Sequence, residues 1–229
     1  MPDWEMASWP RAEHLQRVFH VRSGTSSGTA FALDVDGKQY LVSALHVIER
    51  AAETAVLDIH FQSNWKSFRV DVIGVNFEAD VAVLALQERI VASALPIEIN
   101  GSGCAAGQEV FILGFPLGIV GYAVQPGYPI PLVKRGVAAM FNPGPPRSIY
   151  ISASANPGFS GGPVYFANHQ GKATLMAIVT AELGYEVPVK NEQGETVGKI
   201  MKDSNIVACS YIDHALTLIG DNPRGLPIA

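Results

Sequence analysis

Ser160 stands inside the run Asn156-Pro157-Gly158-Phe159-Ser160-Gly161-Gly162-Pro163. A serine hydroxyl is a poor nucleophile at its free pKa. It becomes useful beside a base, with backbone N–H groups aimed at the oxyanion that forms. The glycines of this run let the chain turn tightly enough to present such donors. His46 follows the apolar stretch Tyr40-Leu41-Val42-Ser43-Ala44-Leu45, and Asp80 opens the apolar stretch Val81 to Leu86. Either residue alone at a strand end reads as a packed core residue or a turn former. With Ser160 they stand in the order His, Asp, Ser, 34 and 80 residues apart. That order matches the base, orienter and nucleophile of a Ser-His-Asp triad. Ser160 Oγ would attack a carbonyl, His46 would take and return the proton, and Asp80 would fix the imidazole tautomer. The oxyanion would lie against the N–H groups of Gly158 and Ser160, together with that of Phe159.

The elements that must position these residues read as short strands. Val18 to Arg22, Thr29 to Asp34, Gln39 to Ala44, Ala55 to Gln62, Ser67 to Val75 and Val81 to Leu86 form one set of six. Val110 to Leu113, Leu132 to Ala139, Ser148 to Ala153, Pro163 to Phe166, Thr174 to Leu183 and Ile206 to Tyr211 form a second. Asp36-Gly37 is a strong hairpin-turn dipeptide between two of them. Many short strands with regular turns indicate a barrel or sandwich. Two sets of six predict an all-β fold of two antiparallel six-stranded barrels. The expected division is an N-terminal barrel over about 17–115, a linker over about 116–131 and a C-terminal barrel over about 132–212. A short helix follows from Asp213, read as its N-cap, to Ile219, with a loosely attached Pro/Gly-rich tail to Ala229. A helical turn is also expected after His46, over Val47 to Ala52.

Composition agrees with a single compact enzyme domain over residues 1–229. The chain is 48% hydrophobic and only 16% charged, which argues against long disordered stretches. A net charge of −5 gives no electrostatic reason to expect nucleic acid or an anionic membrane as partner. No run of 18 apolar residues occurs, so no membrane-spanning helix is expected. The start, Met1-Pro2-Asp3-Trp4-Glu5-Met6, lacks the basic and apolar regions of a signal peptide, and the expectation is a cytoplasmic chain. Cys104 and Cys209 are then expected as reduced thiols. None of the six histidines forms an H-E-x-x-H or a paired ligand spacing, so neither a metal nor a cofactor is expected.

The chain resembles a trypsin-like serine peptidase of the chymotrypsin fold, in style a protease domain of the HtrA (DegP-like) family. The matching pieces are Ser27-Gly28-Thr29-Ala30-Phe31, Ser43-Ala44-Leu45-His46-Val47, Ala79-Asp80-Val81-Ala82-Val83-Leu84, Gly114-Phe115-Pro116-Leu117-Gly118 and the Ser160 run. They occur in family order from about residue 24 to 216. Two departures matter. Phe159 precedes the serine where digestive trypsins carry Asp and HtrA proteases usually Asn, so the ion pair to a freshly cut N-terminus cannot form. Nothing after residue 216 resembles the PDZ domain typical of HtrA proteins. The resemblance implies a protein or peptide substrate and leaves room for an activator or an oligomer partner. It places the floor of the S1 pocket at Ser154, flanked by Ala153 and Ala155, which implies a neutral, small-to-medium P1 side chain. It also implies that the segment Ile178, Val179, Thr180 and Ala181 pairs with the extended substrate backbone. Glu182 is expected as a solvated charge at the end of that strand. The stretch from Gly118 to Leu132 is expected to lie at the cleft entrance, with Tyr122 and Tyr128 giving it apolar surface.

Two alternatives remain at this point. Gly158-Phe159-Ser160-Gly161-Gly162 also satisfies the G-x-S-x-G elbow of an α/β-hydrolase esterase. That fold needs a helix directly after the serine and partners in the order Ser, Asp, His, whereas Gly161-Gly162-Pro163 opposes a helix. The other alternative is a catalytically silent trypsin-fold module that binds without cleaving, which active-site titration would separate from an enzyme.

Overall fold

Strand β6 (Val81–Leu86) is an uninterrupted apolar run, strand β3 (Lys38–Ala44) is apolar over Tyr40 to Val42, and nearly every residue in both is buried. A strand that alternates polar and apolar residues covers one core; a strand apolar on both faces must lie between two. The computed structural model, which describes residues 10–48, 54–61, 64–91, 97–122 and 129–228, shows why. Ala82, Leu84 and Leu86 face the interior of a first barrel with Phe19, Val21, Leu41, Leu57 and Ile59. Val81, Val83 and Ala85 face outward into a second core shared with Leu113, Phe115, Tyr165 and Ile178 from the other half of the chain. A third core, with Val110, Ile149, Phe159, Val164, Met176 and Cys209, fills the second barrel.

The first barrel begins after the short helix α1 (Ala12–Leu15), which the sequence reading did not anticipate. Its strands are β1 (Val18–Ser23), β2 (Ser26–Val35), β3, β4 (Thr54–Phe61), β5 (Asn64–Asn76) and β6. They run in the order β3-β2-β1-β4-β5-β6, and a β3–β6 pairing closes the ring. A short β7 (Glu98–Ile99) leads to β8 (Glu109–Gly114), and β9 (Gly121–Tyr122) pairs with β10 (Pro129–Ile130). The second ring adds β11 (Leu132–Asn142), β12 (Ser148–Ser152), β13 (Pro163–Ala167), β14 (Ala173–Lys190) and β15 (Thr196–Tyr211). Its order is β13-β8-β11-β12-β15-β14, closed by β13–β14, with β7 lying parallel to β14. Helix α2 (Asp213–Asp221) and a last strand β16 (Leu226–Pro227) end the chain. The expected pair of six-stranded barrels with a short C-terminal helix is the observed fold.

Four local expectations are corrected. The N-cap of α2 is Ile212, and Asp213 is its first residue, paired with Arg147 at 2.8 Å. The tail is attached rather than loose: Leu226 pairs with Gln39, the Ile228 N–H donates to Gly37 O at 2.9 Å, and Gly225 packs on the Tyr40 ring. Glu182 lies within β14, opposite Val207, not at its end. Finally, β14 and β15 run on together past Leu183 as a two-stranded ribbon, turning at Asn191–Gly194. The helical turn after His46 appears only as a 3₁₀ turn over Leu45–Val47; its remainder falls partly on residues 49–53, outside the described ones. Cys104 and Cys209 are both free, the latter buried.

Candidate active site

Asp80 ends the turn before β6 in a left-handed conformation, φ 53°, which Asp tolerates better than most residues. The preceding residues are held there from two sides. Asn76 Oδ1 accepts the Ala79 N–H at 2.9 Å, and Ser210 Oγ, from the second barrel, donates to Ala79 O at 2.5 Å. From this position Asp80 grips the segment after β3 with three acceptors. Its backbone carbonyl takes the Leu45 N–H at 3.0 Å, Oδ1 takes the His46 N–H at 2.9 Å, and Oδ2 lies 2.6 Å from His46 Nδ1. With Nδ1 committed to the carboxylate, Nε2 is the ring nitrogen left to act as a base. The Asp80 hydrogen bond is the main cause that holds the His46 pKa above its ordinary value, outweighing partial burial. The contrast with the other shifted histidines is informative. Burial lowers His14 and His60, and burial with the Arg22 charge brings His20 down to about 4.

The Ser160 turn is built by Pro and Gly. Pro157-Gly158 occupy the centre of a turn closed by Phe159 N–H to Asn156 O at 3.3 Å, with Gly158 at φ 112°. Proline first and a positive-φ glycine second is the sequence of a type II turn. The two central carbonyls of the turn are then pinned from outside it, and the next two carbonyls are held as well. Pro157 O accepts the Leu117 N–H at 2.9 Å, and Gly158 O accepts from Thr29 Oγ1 at 2.6 Å. Phe159 O accepts the Gly162 N–H and Ser160 O the Thr29 N–H, each at 2.8 Å. In a trans peptide the N–H points opposite to the C=O. The N–H groups of Gly158 and Ser160 are therefore turned away from these anchors, and neither donates to a carbonyl of another described residue. The Phe159 N–H, expected beside them, is instead used up inside the turn. The Phe159 ring is 1% exposed within the second barrel's core, so apolar burial holds this position where trypsins use an ion pair.

Gly161 brings this turn against the His46 segment. At φ 84°, a side chain there would strike the Thr29 carbonyl and the Ser43 hydroxyl and come within 2.9 Å of the Ala44 N–H. Ala44 lies two residues before His46. The structure thus brings the His46–Asp80 pair and the Ser160 turn to one junction between the barrels.

The predicted substrate-binding residues divide. Ser154 is exposed beside half-buried Ala153 and buried Ala155, at a wall where the Ala153 N–H donates to Asn205 O at 3.0 Å. Ile178 and Val179 have no free backbone edge. Ile178 pairs with Pro163 on one side and Ser210 on the other, while Val179 exchanges two hydrogen bonds with Gly161 and Gly162 and pairs with Cys209. Their expected role in pairing with substrate is corrected on that ground. Past the β13 pairing, Thr180 and Ala181 remain. Lys134 was not foreseen: its Nζ lies 3.2 Å from Asn156 Oδ1 and 5.5 Å from the Phe159 ring centre. Its strand gives no sequence signal, because its position depends on how β11 passes the Ser160 turn. Glu182 has its carboxyl held above the usual range by burial and by Asp203, with Lys134 opposing. Tyr128 of the expected entrance stretch lies among residues 123–128, outside the described ones. Among the described residues, no group of three His, Cys, Asp or Glu side chains could hold a metal ion, and no helix is long and apolar enough to cross a membrane.

Two closed six-stranded barrels with a His–Asp pair and a Gly-rich serine turn at their junction define a chymotrypsin-type peptidase domain. The profile described as Trypsin-like peptidase domain matches residues 28–174, and the chain belongs to that family. A curated relative, Protease Do-like 4, mitochondrial, from Arabidopsis thaliana, is 25% identical over 185 residues, 79% of this chain and 31% of its own length. The solved HtrA-type protease AlgW with tripeptide superposes with a TM-score of 0.58 at 18% identity, over 90% of this chain and 60% of that one. The Rv3671c protease in an inactive form gives 0.58 at 16% identity, over 92% and 91%. These structural likenesses show the fold. The chain spans about a third of its curated relative and three fifths of the AlgW chain.

Proposed function

We propose that this chain is a serine endopeptidase with Ser160 as nucleophile, His46 as general base and Asp80 as its orienter. Membership of the trypsin-like peptidase family supports serine-protease activity in general. The observation that carries the finer reading is the 2.6 Å His46 Nδ1–Asp80 Oδ2 bond beside the Ser160 turn. Ser160 Oγ attacks the peptide carbonyl as its proton passes to His46 Nε2. The Gly158 and Ser160 N–H groups receive the oxyanion. His46 returns the proton to the leaving amine, and water then hydrolyses the acyl-enzyme by the same steps. Substrate backbone adds to the β14 edge at Thr180 and Ala181. Ser154 forms the S1 floor with no acidic residue at that point. A peptide panel varying P1 tests this: neutral small-to-medium residues should lead, and a preference for Arg or Lys would overturn the S1 assignment.

The pH profile follows from the same pair. His46 must be neutral to accept the serine proton, and the Asp80 hydrogen bond holds its pKa above the ordinary histidine value. The acid limb of kcat/KM should therefore lie above that of an unperturbed histidine, with activity lost as pH falls through it. His20, at about 4, titrates too low to produce that limb. A profile flat down to pH 5.5 would contradict His46 as the base.

A further inference from the structure

Thr29 is fully buried on β2, in the first barrel, yet its hydrogen bonds reach into both barrels around the Ser160 turn. Its N–H donates to Ser160 O at 2.8 Å, and its carbonyl accepts from Ser43 Oγ at 2.8 Å, three residues before His46. Its hydroxyl does two further things. It donates to Gly158 O at 2.6 Å and accepts the Phe115 N–H at 3.1 Å. Phe115 begins the Phe115-Pro116-Leu117 segment whose Leu117 N–H holds Pro157 O. The same ring stacks on His20 at 5.6 Å and 17°, and His20 Nε2 lies 2.9 Å from Ser27 Oγ, which fixes that segment from the far side.

We infer that the Thr29 hydroxyl is a positioning group for the oxyanion hole. It touches neither substrate nor any reacting atom, and the inference rests on the Ser160 mechanism proposed above. Gly158 lacks the Cβ that would restrict its rotation. The two peptide planes flanking it keep their orientation because Leu117 N–H and Thr29 Oγ1 each hold one of their carbonyls. The Thr29 hydroxyl acts on both: directly on Gly158 O, and through Phe115 N–H on the segment that presents Leu117. Removing it takes the side-chain partner from a partly buried carbonyl, Gly158 O, and from a buried N–H, that of Phe115. Gly158 O can recover a partner if the Gly158–Phe159 peptide rotates, which breaks the Phe159 N–H bond to Asn156 O and shifts the Gly158 and Ser160 N–H groups on either side of it out of register with the oxyanion. Losing one oxyanion donor costs about 10²–10³ in kcat in a comparable site.

The experiment compares Thr29→Val, which keeps the shape, with Thr29→Ser, which keeps the hydroxyl. Rates are measured per titrated active site on a peptide substrate, with the inhibition constant of a peptidyl aldehyde that needs the oxyanion hole. Thr29→Val should lower kcat by roughly 10–100-fold with KM within about 3-fold, and weaken the aldehyde in parallel. Thr29→Ser should restore most of both. Equal loss in the two variants would assign the effect to the methyl group and overturn the inference. So would a Thr29→Val enzyme with kcat within 3-fold of the parent. If Thr29→Val does not fold, Thr29→Ala is compared with Thr29→Ser in its place. Failure of both hydroxyl-free variants to fold makes the hydroxyl a folding group, which also overturns it. A parent chain that hydrolyses nothing and takes no fluorophosphonate refutes the Ser160 mechanism itself, a different result from an active parent insensitive to Thr29.

Discussion

Ser160→Ala is expected to reduce peptide hydrolysis by on the order of 10⁶-fold in kcat, below detection in an ordinary assay. The side chain is half-buried at a turn whose backbone carries the structural bonds. Ser160 O is held by Thr29, and the neighbouring Gly161 and Gly162 exchange bonds with Val179. None of these uses the hydroxyl. The melting temperature should therefore stay within a few degrees, and calorimetry beside the rate assay checks that. Residual activity within a hundredfold of the parent would move the nucleophile elsewhere.

Asp80→Asn is expected to lower kcat by about 10⁴-fold, the figure found for the same change in the Ser-His-Asp template. The two carboxylate oxygens accept from different donors, the His46 N–H at 2.9 Å and Nδ1 at 2.6 Å. An amide can supply only one acceptor. If its NH₂ faces Nδ1, the imidazole must carry its proton on Nε2 and cannot take one from serine. If its NH₂ faces the backbone, the His46 N–H loses its acceptor and the ring its placement. Loss of the carboxylate also removes the main cause that raises the His46 pKa, so any residual activity should show an acid limb shifted to lower pH. Stopped-flow or endpoint kinetics per titrated site measure the first effect. A rate within tenfold of the parent would reduce Asp80 to a turn residue.

Most of the fold was legible because strand length and apolar runs report burial directly. Val81 to Leu86 was predicted to the residue, since both of its faces meet a core. The ribbon beyond Leu183 was missed for the opposite reason. Tyr185, Val189, Val197, Ile200 and Met201 are exposed there, and a two-stranded extension has no core to impose a pattern. The tail was misjudged because Pro and Gly suggested looseness, while Gly225 is there to clear the Tyr40 ring.

At the proposed site, residue type and order single out His46, Asp80 and Ser160 in the sequence. Neither singles out their supports. Thr29, Leu117 and Phe115 reach the Ser160 turn only through the barrel junction, and nothing in their local sequence announces a hydrogen bond 129 residues away. Ile178 and Val179 were assigned to substrate pairing from the family resemblance. Which edge of a strand is free depends on its neighbours, and here β13 and the Gly161-Gly162 segment occupy that edge up to Val179.

The most direct measurement is to treat the purified chain with a fluorophosphonate and map the adduct by tandem mass spectrometry. The proposed mechanism predicts one adduct per chain, on the peptide containing Ser160, absent after Ser160→Ala. Its rate should fall at acid pH with the His46 limb. An unlabelled but folded chain, or an adduct on any other serine, would contradict it.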